Sequence, residues 1–165
     1  MELKPITREG VSAALQKAER YRLLNDSTAA ESICLDILQV DAENQQALIT
    51  LLLSITDQFP EDSGDAVTRA REVLPRLKDE YKRAYYSGII SERKAKALLH
   101  RAGLGVEAVA RDWFHEAMRF YEKAEALRPS GNDESILRWN TCARKLGRHE
   151  PLRSTRDEYE PALGE

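Results

Sequence analysis

A chain of 165 residues, 42% hydrophobic and 32% charged but only 7% aromatic, is long enough for one domain with a real core. Only eight glycines and six prolines are present, and alternating apolar and polar runs bounded by turn pairs are missing, which excludes a β-rich domain. The net charge is −3, but residues 1–68 carry −7, residues 69–101 carry +6 (ten basic against four acidic side chains) and residues 102–165 carry −2, a pattern that speaks of partners rather than of fold.

Met1–Gly10 lacks the apolar core of a secretory leader, so a cytoplasmic location is expected. Thr7 can cap a first helix running to about Leu24, and Asn25-Asp26-Ser27 forms a break rich in capping side chains. A second helix is predicted to about Val40, followed by a turn at Asp41–Asn44 and a third helix from Ala47 to about Gln58. Its apolar run, Ala47 to Ile55, is too short to span a bilayer and reads as a buried helix. After Pro60–Gly64 a short helix is predicted from about Asp65 to Leu74, ended by Pro75. The stripe Tyr81, Ala84, Tyr85, Gly88, Ile89, Ala95, Leu98 and Leu99 marks a long helix ending at Gly103–Gly105. A second long stripe, from Val106 through Trp113, Phe114, Ala117, Phe120, Tyr121 and Ala124 to Leu127, stops at Pro129 and Gly131. The last helix is predicted from about Asp133 to Leu146, stopped by Gly147, with a polar, partly disordered tail over 147–165.

Two sets of positions recur with one period. Ala18, Leu52, Gly88 and Trp139 mark the odd-numbered helices, and Ala30, Ala66 and Ala117 mark the even-numbered ones. Ala18 to Leu52 is 34 residues, Leu52 to Gly88 and Ala30 to Ala66 are both 36, and Gly88 to Trp139 and Ala66 to Ala117 are both 51. A 34-residue unit therefore recurs, once with 2 extra residues and once with 17. In the third unit Ala117 and Ala124 are small, Tyr121 is an aromatic four positions after the first of them, and Pro129 follows the helix. The first unit has Tyr21, Ala30 and Ala42, and the second has Ala70 for the aromatic and Lys78 at the proline place.

On these residues the chain resembles the tetratricopeptide repeat superfamily over roughly residues 11–146. The resemblance implies an all-α, antiparallel helix-pair solenoid over residues 1–146, with repeats at about 11–44, 45–80 and 81–131 and a capping helix at 132–146. The physical reason is that one helix pair cannot bury both apolar faces alone, whereas stacked pairs share a continuous core. The 17 extra residues are expected to lengthen both helices of the third pair by about two turns, projecting the hairpin by roughly 12 Å. Leu98, Leu99, Val106 and Val109 would zip its tip.

No chemistry rises from the motifs. His115-Glu116-Ala117-Met118-Arg119 has arginine where a zinc site needs its second histidine, so no metal and no cofactor are expected. Gly103-Leu104-Gly105 lacks the preceding strand and third glycine of a dinucleotide loop. Cys34 and Cys142 form no redox pair. The chain thus reads as a non-enzyme, with an unrecognised helical active site as the alternative.

The resemblance implies a concave groove lined by the first helix of each pair. Those helices offer Leu15, Glu19 and Arg22, then Gln46, Ile49 and Leu53, then Tyr85 and Ile89. Lys82, Tyr86, Arg93, Asn140 and Arg144 are the candidate partner-binding residues. Cationic and amphipathic aromatic groups together suit an extended acidic protein or peptide, which makes the chain a scaffold or adaptor. The basic 69–101 block admits a nucleic-acid-binding helical repeat as the alternative, but net acidity and the lack of a stacking or groove-reading motif count against it.

Overall fold

The structure, a computed structural model, describes residues 1–61, 64–101, 103 and 105–148. Among these residues it is all-helical, with seven α-helices and no strand. They are α1 (Val11–Leu23), α2 (Ser27–Val40), α3 (Gln45–Asp57), α4 (Ala66–Val73), α5 (Glu80–His100), α6 (Val106–Leu127) and α7 (Glu134–Arg148).

Side-chain caps set the early boundaries. Thr7 Oγ1 accepts from the Gly10 amide at 3.1 Å and starts a 3₁₀ turn, Arg8–Gly10, that leads into α1. Asn25 takes the left-handed conformation (φ 60°) that reverses the chain after α1. Asp26, Asn44 and Asp79 then cap α2, α3 and α5 by accepting from the amides of Ala29, Ala47 and Lys82 at 3.1, 2.9 and 3.0 Å. Glycine serves at the head of α6, where Gly105 adopts φ 79°.

Helix α4 ends at Val73, within a residue of the end expected before Pro75, and Pro75 sits inside a 3₁₀ turn, Leu74–Arg76, that delivers Leu77 to the core. Proline tolerates that place because a first-turn N–H needs no helical acceptor. Gly147 does not stop α7, which continues through it to Arg148. One glycine in a last turn costs only about 1 kcal/mol and is no barrier by itself. The remainder of the tail, 149–165, lies outside the described residues.

Successive helices pack on one another, and α1 with α3 and α3 with α5 also touch. Helix α3 is the most enclosed, with Ala47–Leu52 and Ser54–Thr56 all buried. Two of its hydroxyls are satisfied within the helix, Ser54 donating to the Thr50 carbonyl at 2.7 Å and Thr56 to that of Leu53 at 2.9 Å. Of the two sets of recurring positions and their followers, Ala18, Leu52, Gly88, Ala30, Cys34, Ile37, Ala66, Ala70, Val73, Ala117, Tyr121 and Ala124 are buried, and only Trp139 is partly exposed.

Helices α5 and α6, at 21 and 22 residues, are the longest, and they share the most extensive contact of any helix pair among the described residues. Gly88 permits the approach: a Cβ there would stand 2.5 Å from the Tyr121 ring. At the tip Leu98 and Leu99 are half-buried and Ala110 is buried, but Val109 is 49% exposed and takes no part in the zip expected of it. Nor does the end of α5 stand free, because Arg101 donates to the Phe59 and Pro60 carbonyls at 3.1 and 3.3 Å, beside the end of α3.

Candidate binding face

One stripe of α5 carries Lys82, Tyr86 and Arg93, spaced i, i+4 and i+11, on the side that meets α3. Lys82 is half-buried, and among the described residues its ammonium has no ion pair or hydrogen bond. Tyr86 packs between the two core clusters and meets Tyr85 edge-on at 5.2 Å. Burial first, then Tyr85 and Glu134, push its hydroxyl up to about 12, so at neutral pH it is a neutral donor.

Arg93 is more occupied than its sequence position suggests. Its Nη1 donates to the Leu53 carbonyl at 3.2 Å and to Thr56 Oγ1 at 2.7 Å, and it also pairs with Asp57 Oδ1. Burial lowers its pKa, the Asp57 carboxylate opposes that, and a guanidinium remains charged either way. Its contacts place a cation at the C-terminal end of α3, where orphan carbonyls and the helix dipole favour one. Asp57 is gripped from the other side by Arg22 of α1, Nε to Oδ2 at 2.7 Å. Further along the same two helices Gln46 donates to Glu19 at 2.9 Å.

Arg138 of α7 extends the row. It donates to the buried Glu92 carboxylate at 3.4 Å and keeps 40% of its side chain exposed. Desolvation alone would lower its pKa, but Glu92 and the Tyr85 hydroxyl outweigh that and hold it above the ordinary value. Glu92, only 1% exposed, also accepts from the Tyr121 hydroxyl at 2.7 Å and pairs with Lys96. It is thus a buried carboxylate with three partners, which is what such a charge needs.

Asn140 and Arg144 do not join this row. Helical geometry sets Asn140 about 200° around α7 from Arg138, and Arg144 is exposed with no ion pair among the described residues. The residues missed in the sequence were Asp57 and Arg138. Continuing the stripe Gln46, Ile49, Leu53 by one turn reaches Asp57, so that signal was available. Arg138 had no such signal, because sequence does not say which flank of α7 turns toward α5.

His115 and Glu116 hold no ligand geometry. His115 is exposed, and Glu116 accepts from Ser91 at 2.7 Å and Arg71 at 3.2 Å, with Arg71 also lying 5.1 Å from the Trp113 ring centre. Among the described residues no group of three His, Cys, Asp or Glu side chains could hold a metal ion, and no helix is long and apolar enough to cross a membrane. Both cysteine thiols are buried, and desolvation pushes each up to about 12. Comparison with protein-family models, curated proteins and solved structures gives no match.

Proposed function

We propose that this chain is a protein-binding module, a scaffold or adaptor, which grips an acidic segment of another protein along the face formed by α1, α3, α5 and α7. In this reading α1–α2, α3–α4 and α5–α6 are three tetratricopeptide-like repeats and α7 caps the stack. Support for the repeat comes from the contacts of α1 with α3 and α3 with α5, and from the burial of equivalent positions in each unit. Cytoplasmic residence is part of the proposal and suits two unpaired cysteines.

The observation that carries the function is the row Arg22, Lys82, Tyr86, Arg93 and Arg138, contributed by three helices, in which Asp57 pairs with Arg22 and Arg93, the buried Glu92 pairs with Arg138, and Lys82 has no ion pair among the described residues. Cations from three helices beside a half-buried tyrosine with a neutral hydroxyl favour an acidic, partly apolar segment. Such a surface needs no reacting group, only preorganisation, and the rigid helices provide it.

The test is a pull-down from lysate with wild type and Lys82→Glu, both verified as folded by thermal melting. Among the described residues the Lys82 ammonium has no ion pair or hydrogen bond that the substitution would break. Partners enriched by wild type and lost with Lys82→Glu are the expected result. An unchanged partner set, or retention of RNA alone at low salt, would contradict the proposal.

A further inference from the structure

Asp57 is the last residue of α3, where the helix dipole disfavours a negative charge. Its carboxylate nevertheless stands between two guanidinium groups from two other helices, Arg22 on one oxygen and Arg93 on the other. All three side chains stay open to solvent, at 28% exposure for Asp57, 22% for Arg22 and 25% for Arg93. A cavity of about 830 Å³ opens on the Arg22 side of Asp57, with Arg22, Asp57, Gln58, Glu61 and Arg69 among its walls.

We propose that Asp57 is a resident competitor: in the free protein its carboxylate fills the place between Arg22 and Arg93 that a Glu or Asp side chain of the acidic partner takes in the complex. This rests on reading the face as the surface for an acidic segment. An incoming carboxylate makes the same ion pair with both guanidiniums, so the exchange leaves neither arginine without an acceptor. Planar guanidinium groups favour a carboxylate over other acceptors. Asp57 then sets a threshold. A segment with one carboxylate gains nothing by displacing it, whereas a segment with several gains from Lys82 and Arg138 as well. Discrimination in favour of acidic runs follows from a built-in opponent.

The experiment measures fluorescence anisotropy of a labelled oligoglutamate peptide, with oligolysine as the charge control, against wild type, Lys82→Glu, Asp57→Asn and Glu19→Gln. Asp57→Asn removes the competing charge and keeps the shape, and it is expected to tighten oligoglutamate binding about tenfold. Glu19→Gln removes an equal charge from the same face, one helical turn from Arg22 but bonded to Gln46 rather than to either arginine, and is expected to change binding by less than about twofold. If Asp57→Asn binds no more tightly than wild type while Lys82→Glu still loses binding, the competitor proposal falls and the face stands. Equal tightening by Glu19→Gln and Asp57→Asn reduces the effect to net charge and overturns the proposal as well. Indifference of binding to Lys82→Glu removes the face and the proposal together. Should Asp57→Asn melt too early to measure, Arg22→Gln decides: weakened binding supports the grip, and unchanged binding overturns it.

Discussion

Beneath α1–α4 the core is mostly aliphatic, filled by Ala18, Ile37, Leu48, Leu52 and Ile55 with the ring of Phe59, whereas between α5, α6 and α7 it is built from Tyr81, Tyr85, Phe114 and Tyr121 around the carboxylate of Glu92. The aliphatic part depends on volume and tolerates exchange of one hydrocarbon for another. The aromatic part depends on register, because Gly88 must face Tyr121 and the Tyr121 hydroxyl must meet Glu92. Buried polar networks of this kind fix one arrangement when complete and penalise every other. The contrast also reaches the surface: Glu92 holds Arg138 and Lys96, so the register of the second core sets where two cations stand.

Substitutions can break or sharpen this contrast. Glu92→Ala leaves a buried tyrosine hydroxyl and two cations without their acceptor, and we expect a loss of about 3–5 kcal/mol in urea unfolding. Gly88→Ala should cost about 1–2 kcal/mol, since a methyl 2.5 Å from a fully buried ring must displace helix α6 while alanine returns some helix propensity. Leu52→Met, in the aliphatic core, should cost less than about 1.5 kcal/mol despite complete burial. A larger loss for Leu52→Met than for Gly88→Ala would erase the contrast.

Alkaline pH should separate the two regions more gently. A thiol or phenol whose folded pKa is raised stabilises fully below its unfolded pKa, and that contribution is lost as pH rises toward the folded value. Cys34 and Cys142 rise from 9.0 to about 12, and Tyr86 from 10.0 to about 12, with burial the leading cause in each. Stability should therefore decline from about pH 9 upward. The aromatic core also holds Tyr81 and Tyr121, both pushed up by burial, so it should loosen first, with tyrosinate absorbance preceding loss of helical ellipticity. Simultaneous transitions would argue that the two cores unfold as one.

The fold was legible where residue type and spacing act together. Capping by Asp26 and enclosure of α3 followed from side-chain chemistry that needs no partner helix. So did the length of α5 and α6, from unbroken apolar stripes. What escaped depended on rotation and reach. Val109 continues the spacing of a buried stripe, yet Ala110 takes the covered side. Arg93 looked free because its acceptors lie 36 to 40 residues away on α3. Lys82 and Tyr86 were legible as a stripe, but Arg138 needed the angle of α7, which no local signal supplies.

The most direct test of the binding face is an NMR titration of the isotope-labelled chain with oligoglutamate, following backbone amides of all helices. Shifts that concentrate at Lys82, Tyr86, Arg93 and Arg138, and fade with salt, are the expected result. Shifts centred instead on Phe120 and Lys123, which line the cleft beside Leu74 and Pro75, or shifts spread evenly over every basic residue, would contradict it.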